Sequence, residues 1–315
     1  MIFNYSFEDL CRGLRSPRLA LGELYELGTK ANVNYYQHTQ QSNGINVMSE
    51  DWDNLVVLDG CRYDLYSQTS SIDGNLRSVT SRGSESWEFM EGNFVGRELH
   101  DTVYITSNPH TYKLEEGIFH AIVDLLDDSW DDELRTVPPT AVVEASKHAY
   151  ERYPNKRLLI HFMQPHFPFI GPTGREIVHK GIEMHREKSE RGEARGIWQQ
   201  LQYGHLNRKT IYEAYHENLL IVLDAVTELL DSLDGRTVIT SDHGNLLGDW
   251  IGPVPTRAFG HPRYLHVPQL VTVPWHTVTD DSRRRITRSC PAEDDQLAMN
   301  SSEVHNRLRN LGYSE

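Results

Sequence analysis

Short apolar runs that alternate with amphipathic segments are the feature that most narrows the fold of this chain. The run Leu55–Leu58 ends at Asp59, and further strand candidates follow at Thr102–Thr106, Arg157–Phe162, Arg236–Thr240 and Leu270–Val273. Between them the spacing of apolar residues predicts helices over Glu85–Asn93, Pro139–Tyr153 and Lys209–Leu233. Apolar strands that alternate with helices are typical of a mostly parallel sheet with helices on both faces, so we expect an α/β fold.

The length of 315 residues suits one large domain with smaller additions. We expect an N-terminal helical extension over 1–50, a core domain over 51–280, and a tail with a closing helix over 281–315. The first 30 residues predict two short helices with a break near Ser16-Pro17. A charged stretch over 174–207 predicts a helical insertion in the core domain.

The net charge and the cysteine content restrict which partners the protein can bind and in which cellular compartment it is expected. A net charge of −14 disfavours a nucleic-acid surface, although a metal and local cations can still attract an anionic substrate into a cleft. Cys11, Cys61 and Cys290 have no close spacing, so we expect reduced thiols and no cysteine metal site. The first residues lack the apolar core of a signal peptide, and no stretch reaches the roughly 18 apolar residues of a membrane span. We therefore expect a cytoplasmic protein with no integral membrane segment.

Metal-competent side chains follow three of the predicted strands. Asp59 follows the first strand, His161 and His166 end another, and Asp242-His243 follows a third. Because ligands of open α/β sheets bind beyond the carboxyl ends of the strands, these residues should meet at one edge. Carboxylate and imidazole ligands suit zinc or manganese. Each residue also has a structural alternative, since aspartates cap helices and single histidines often serve packing.

Two further segments carry candidate groups. Ser84 and Ser86 precede a predicted helix, where backbone N–H groups favour an anion and a serine beside a metal can become a nucleophile. The alternative is that either serine caps the helix. Cys61 is a weaker nucleophile candidate, because a lone thiol is usually a small buried apolar group. His261, in Gly260-His261-Pro262, could return another imidazole to the same cleft.

The order of these motifs resembles the alkaline phosphatase-like, or sulfatase-like, superfamily over residues 52–275. The motifs are the strand-end aspartate, the Gly-Ser helix start, His-x4-His before proline, Asp-His-Gly, and Gly-His. Among its members, the phosphoethanolamine and phosphoglycerol transferases look most similar. The resemblance implies that residues 51–280 form an alkaline phosphatase-like catalytic domain.

The resemblance implies a single divalent ion and a hydroxyl nucleophile. The implied metal ligands are Asp59, Ser86, Asp242 and His243. Manganese or zinc is favoured, with magnesium or calcium as alternatives. The similar transferases carry their nucleophile on the second threonine of Gly-Thr-Ala-Thr, which corresponds to Ser86 here, while a register shift of two would select Ser84.

The remaining histidines and one arginine are implied to contact the substrate. His166 and His261 would bind oxygens of the transferred group or assist the leaving group. Arg62 and His161 are further substrate-binding candidates. The substrate is expected to be a small-molecule or a glycan- or lipid-linked phosphate ester, with no nucleic-acid partner.

Three departures from the superfamily pattern refine this prediction. The formylglycine motif Cys-x-Pro-Ser-Arg of true sulfatases is absent from the sequence. Phe162 stands where two-metal members carry an aspartate, so we expect one ion. The similar transferases are membrane-anchored, which makes a lipid substrate doubtful. The prediction is a metal-dependent hydrolase or transferase of phosphate esters or phosphodiesters with a serine nucleophile. A sulfatase-like esterase without formylglycine and a catalytically inactive binding subunit are the alternatives.

Overall fold

The computed structural model describes residues 17–39, 43–179, 196–279 and 282–291. Several predicted elements lie outside these residues. They are the first of the two N-terminal helices, the middle of the predicted insertion, and the closing C-terminal helix. Within the described ranges, no helix combines the length and the apolar content that crossing a membrane requires.

A mostly parallel sheet forms the centre of the molecule, as the sequence predicts. The strands are β1 (Asn54–Leu58), β2 (Asn75–Thr80), β3 (Leu99–Thr106), β4 (Phe119–Asp124), β5 (Arg157–Phe162), β6 (Thr237–Thr240), β7 (Leu246–Ile251), β8 (Thr256–Gly260) and β9 (Thr272–Thr279). Seven of them form the main sheet in the order β2-β9-β6-β1-β5-β3-β4. Strand β1 pairs in parallel with β5 and β6, and β3 pairs in parallel with β4 and β5. Strand β9 is antiparallel to β6 and β2, while β7 and β8 form a separate hairpin.

Helices cover both faces of this sheet. They are α1 (Pro17–Thr39), α2 (Tyr63–Thr69), α3 (Ser86–Asn93), α4 (Pro139–Arg152), α5 (Pro172–His179), α6 (Ile197–Gln202), α7 (Arg208–Leu230) and α8 (Pro268–Val271). Val56 and Leu58 pack on the face covered by α4 and α7, whereas Leu55 and Val57 pack on the face covered by α3. Because both faces of β1 are buried, its sequence is apolar throughout rather than alternating.

Two predicted elements differ from the structure. The candidate strand Leu270–Val273 is wrong in its position. Pro268 begins the short helix α8 there, and β9 starts only at Thr272. A proline fits the first turn of a helix, where its missing N–H costs no hydrogen bond. In the predicted N-terminal extension, α1 begins at Pro17 and continues to Thr39, beyond the first 30 residues over which the two helices were predicted.

Helix α1 packs along the β7–β8 hairpin of the core domain. The ring centroids of Tyr25 and Phe259 are 6.0 Å apart. The side chain of Asn32 donates a hydrogen bond to Val254 O at 2.8 Å and accepts one from Val254 N at 2.9 Å. These contacts join the predicted extension to the hairpin that precedes His261.

Candidate metal centre

Three buried ligand groups meet at the carboxyl edge of the sheet. Asp59 directly follows β1, and Asp242 and His243 follow the neighbouring strand β6. One ligand atom from each residue lies within 4.8 Å of the others, and all three side chains are fully buried. The parallel pairing of β1 and β6 brings the residues together, because adjacent parallel strands end at the same edge.

Each carboxylate has one oxygen fixed by hydrogen bonds and another that faces the group. Asp59 Oδ2 accepts hydrogen bonds from Asn108 Nδ2 at 2.6 Å and Ser86 Oγ at 3.2 Å, while Oδ1 lies 3.6 Å from His243 Nε2. Asp242 Oδ1 accepts from the backbone N–H groups of Gly60 and His243 at 3.0 and 2.8 Å. Asp242 Oδ2 lies 3.5 Å from His243 Nε2 and accepts no hydrogen bond from the described part of the chain.

His243 completes a donor set that fits a divalent ion. Its Nδ1 lies 2.6 Å from Gly244 O and therefore carries a hydrogen, so Nε2 is the ring nitrogen that faces both carboxylates and would bind an ion. Burial alone would raise the pKa of Asp242, but His243, His161 and the Gly60 N–H outweigh burial and lower that pKa. Ionised carboxylate oxygens and an imidazole nitrogen converge here, and such groups are the ligands that zinc and manganese prefer.

Ser86, and not Ser84, reaches this group. Ser86 Oγ lies 3.2 Å from Asp59 Oδ2 and 3.3 Å from His243 Nε2. Ser84 Oγ instead donates to Glu88 Oε2 at 2.8 Å. The two side chains diverge because Ser86 is the first residue of α3, whereas Ser84 precedes the cap residue Glu85.

The cap of α3 differs from the prediction that a serine would fill it. The carboxylate of Glu85 accepts hydrogen bonds from Trp87 N at 2.9 Å and Glu88 N at 2.7 Å. These two N–H groups are therefore satisfied by the protein and are not available to an anion. Burial raises the pKa of Glu85, although these hydrogen bonds oppose the shift.

His166 and His261 lie beside the ligand group and are hydrogen-bonded to each other. Their Nε2 atoms are 2.8 Å apart, and His166 Nδ1 lies 2.6 Å from Phe167 O. Because Nδ1 of His166 carries its hydrogen, the hydrogen between the rings comes from His261. Burial and the nearby His243 lower the pKa of His166 to about 3, and burial lowers the pKa of His261 well below its usual value. Both imidazoles are therefore neutral at pH 7, which suits hydrogen bonding better than proton donation.

His161 lies behind the two carboxylates. Its Nε2 is 3.8 Å from Asp59 Oδ2 and 3.7 Å from Asp242 Oδ2, which is too long for a hydrogen bond. Its Nδ1 forms a 2.9 Å hydrogen bond with the hydroxyl of Tyr104. This position supports a role next to the ligand group more than the predicted contact with substrate.

The contacts and burial of Arg62 and Cys61 indicate structural roles for both residues. The guanidinium of Arg62 contacts Asp64 at 2.6 Å and Asp249 at 3.0 Å, so it ties the loop after β1 to strand β7. The contact of Arg62 with substrate stays a prediction, and in this structure two carboxylates already neutralise the guanidinium. Cys61 is fully buried, and burial raises the pKa of its thiol well above the usual value, which makes it a poor nucleophile.

Two polar residues near the group were missed from the sequence. Asn108 donates to Asp59, and His110 is buried close by with its pKa lowered to about 3 by burial and by Lys113. Both follow β3, which pairs in parallel with β5 and so ends at the same edge of the sheet. The sequence predicts β3 itself. A search for polar residues just after this strand, as was made for the other strands, would therefore have identified Asn108 as well.

Comparison with known proteins finds similarity in structure alone. No protein-family model and no curated protein sequence matches the chain. The C-terminal periplasmic domain of EcEptC from Escherichia coli, in complex with Zn, matches at 15% identity and a TM-score of 0.47 over 76% of each chain. The C-terminal periplasmic domain of the phosphoethanolamine transferase EptC from Campylobacter jejuni matches at 13% identity and a TM-score of 0.41, over 72% of this chain and 78% of that one. A protein in the alkaline phosphatase superfamily from Vibrio parahaemolyticus matches at 12% identity and a TM-score of 0.41, over 91% and 75%.

The Vibrio parahaemolyticus protein belongs to the superfamily that the sequence motifs resemble, and the Campylobacter jejuni protein is a phosphoethanolamine transferase. The expectation of a cytoplasmic protein is not supported by these similar structures, since both EptC structures are periplasmic domains.

Proposed function

We propose that this chain is a metal-dependent hydrolase or transferase of phosphate esters or phosphodiesters, with Ser86 as its nucleophile. The observation that supports the proposal is the hydroxyl of Ser86, which lies 3.2 Å from Asp59 Oδ2 and 3.3 Å from His243 Nε2. A divalent ion held by Asp59, Asp242, His243 and Ser86 would lower the pKa of that hydroxyl and offset negative charge on the phosphoryl oxygens.

The reaction proceeds by displacement at phosphorus. Ser86 Oγ forms a bond to phosphorus as the ester P–O bond breaks, and the leaving group departs as its oxyanion, which takes a proton from water. Asp59 Oδ2 is the acceptor in reach of the Ser86 proton, since the Nε2 lone pair of His243 is directed at the ligand group. Water or another hydroxyl then takes the phosphoryl group from the serine, which gives hydrolysis or transfer.

His261 is the neutral histidine that contacts the transferred group. The hydrogen that His261 Nε2 donates to His166 can be redirected to a phosphoryl oxygen when substrate enters. Because burial lowers the pKa of both imidazoles, neither protonates the leaving group. His166 instead orients the ring of His261, since its Nε2 accepts the hydrogen bond from that ring.

The donor set favours one zinc or manganese ion per chain. It mixes carboxylate and hydroxyl oxygens with one imidazole nitrogen, which suits these metals better than magnesium or calcium. The buried Phe162 supplies no ligand at the position where two-metal enzymes of the superfamily carry an aspartate.

Turnover of a panel of esters tests the proposal. We expect the metal-loaded chain to cleave p-nitrophenyl phosphate or bis-p-nitrophenyl phosphate. Ser86→Ala should lose activity at least about a hundredfold, because an activated nucleophile is removed. Ser84→Ala is the matched control and should remain active. Trapped phospho-enzyme should carry phosphate on Ser86 when mapped by peptide mass.

Other results contradict the proposal in distinct ways. Phosphate on Ser84 would mean that the nucleophile is assigned wrongly. Cleavage of p-nitrophenyl sulfate alone would indicate a sulfatase-like esterase. Metal binding with no turnover of any ester would indicate an inactive binding subunit.

A further inference from the structure

Asn108 contacts the metal centre without belonging to its ligand group. It follows β3 and is fully buried. Its Nδ2 donates a hydrogen bond to Asp59 Oδ2 at 2.6 Å, the shorter of the two hydrogen bonds that this oxygen accepts from Asn108 and Ser86. The contact joins two elements that are separated in the sheet, since β5 lies between β1 and β3.

The orientation of the Asn108 amide is determined by its surroundings. Its Oδ1 accepts a hydrogen bond from His110 N at 2.9 Å, and its own backbone N–H donates to Thr106 Oγ1 at 3.0 Å. A flipped amide would place its oxygen against the Asp59 carboxylate and its NH₂ group against an N–H. Because both of those contacts are repulsive, the NH₂ group must face Asp59.

This contact decides which oxygen of Asp59 faces the ligand group. With Oδ2 engaged by Asn108 and Ser86, Oδ1 is the oxygen that lies 3.6 Å from His243 Nε2. In Asp242, two backbone N–H groups donate to Oδ1, so that Oδ2 is the oxygen that faces the ligand group. Only proline removes a backbone donor, and it would also change the backbone conformation, so Asn108 is the part of this arrangement that mutagenesis can test cleanly.

We propose that Asn108 is a positioning residue of the metal centre, which holds Asp59 as a one-oxygen ligand and keeps Oδ2 from the ion. The inference rests on the proposed metal centre and not on the chemistry of the ester. Without the amide, Asp59 rotates more freely and can offer either or both oxygens, so the ligand is no longer held in place for the ion and the affinity falls. Loss of such hydrogen bonds to a ligand typically weakens metal binding by about 10–100-fold.

The test compares Asn108→Leu with Asn93→Leu in the full chain. Leucine has a similar size but no donor. Asn93 is an equally buried asparagine in α3 whose amide, among the described residues, bonds to backbone atoms, accepting from Val47 N at 3.1 Å and donating to Phe89 O at 2.9 Å. Zn²⁺ affinity is measured by competition with a chromogenic chelator, and the visible spectrum of the Co²⁺-loaded chain reports coordination geometry.

We expect Asn108→Leu to bind Zn²⁺ about 10–100-fold more weakly than the unaltered chain and to change the Co²⁺ spectrum. Asn93→Leu should keep both at the unaltered values, even where it lowers the unfolding temperature of the metal-free protein. If Asn108→Leu does not fold, Asn108→Ala serves as the second variant and is measured against Asn93→Ala.

Three outcomes overturn the inference. Unchanged Zn²⁺ affinity in the Asn108 variants excludes a positioning role. An equal loss in the Asn93 variants shows general loosening of the fold. Absence of Zn²⁺ binding by the unaltered chain removes the metal centre itself. Failure of the proposed function would look different. If the unaltered chain binds Zn²⁺ and cleaves no ester, the proposed function fails while the role of Asn108 still stands.

Discussion

At the scale of single residues, the site separates groups that hold a cation from groups that contact a substrate. Asp59, Asp242 and His243 direct one ligand atom each into a shared space, and the other polar atoms of these side chains are occupied by hydrogen bonds. His166 and His261 use their Nε2 atoms on each other. Removing either of these two imidazoles should therefore affect turnover without emptying the metal site.

We expect His166→Ala to lower kcat by about a hundredfold, because His166 orients the His261 N–H that stabilises charge on the transferred group. The bound metal should stay near the level of the unaltered chain, because His166 Nε2 is hydrogen-bonded to His261 and lies outside the ligand group. Elemental analysis after dialysis, combined with kinetics on p-nitrophenyl phosphate, checks both statements. Loss of the metal together with the activity would mean that His166 is itself a ligand.

At the scale of elements, the N-terminus of α3 is tied to the loop after β8 by one buried carboxylate. Glu88 Oε2 accepts from Ser84 N at 2.9 Å and from Ser84 Oγ at 2.8 Å, and Oε1 lies 2.7 Å from His266 Nε2. Burial would raise the pKa of Glu88, but its bonds to His266 and Ser84 outweigh burial and lower that pKa. The same carboxylate thus connects the helix that carries Ser86 to the segment that carries His261.

Glu88→Gln should reduce the free energy of unfolding by about 1–3 kcal/mol, because an amide cannot accept all of these hydrogen bonds. The control is Glu91→Gln on the same helix. Glu91 makes a surface ion pair with Arg263, and such pairs contribute about 0–1 kcal/mol. Urea denaturation of both variants measures the difference.

The contribution of Glu88 to stability should also depend on pH. Since the folded pKa of Glu88 is depressed, this contribution is present above the usual pKa of 4.5 and is lost as the pH falls below that value. A difference that persists unchanged in acid would contradict this account.

Elements with apolar runs were predictable from the sequence, and exposed or irregular ones were not. Strand β5 was predicted with its observed bounds, since both of its faces are largely buried. Strand β2 was missed, because it lies at the sheet edge with most of its side chains exposed or half-buried and has no apolar run. Of the two carboxylate partners of Arg62, Asp249 was also beyond reach, since it is distant in sequence and meets Arg62 only through the β7–β8 hairpin.

At the scale of the whole molecule, several histidines are held neutral in the interior. Burial lowers the pKa of His166 and His110 to about 3 and the pKa of His261 well below its usual value. These groups lie close to the metal ligands, so their effect on stability is best observed in the metal-free chain. Acid should therefore unfold that chain by protonating its buried imidazoles.

Between about pH 6.5 and pH 3, the unfolded metal-free chain binds protons at these histidines while the folded chain does not. Stability is therefore fully present above the usual histidine pKa and decreases as the pH falls through this window, by up to about 1.4 kcal/mol per pH unit for each histidine.

His166→Asn should make the free energy of unfolding depend less steeply on pH, because one of the histidines that take up a proton on unfolding is removed. His38→Asn is the control and should leave the slope unchanged, because His38 is exposed on α1 and meets solvent in both states. Urea denaturation at a series of pH values in the presence of a chelator measures the slopes. Equal slopes for the unaltered chain and His166→Asn would show that the folded protein accepts a proton on His166 at little cost.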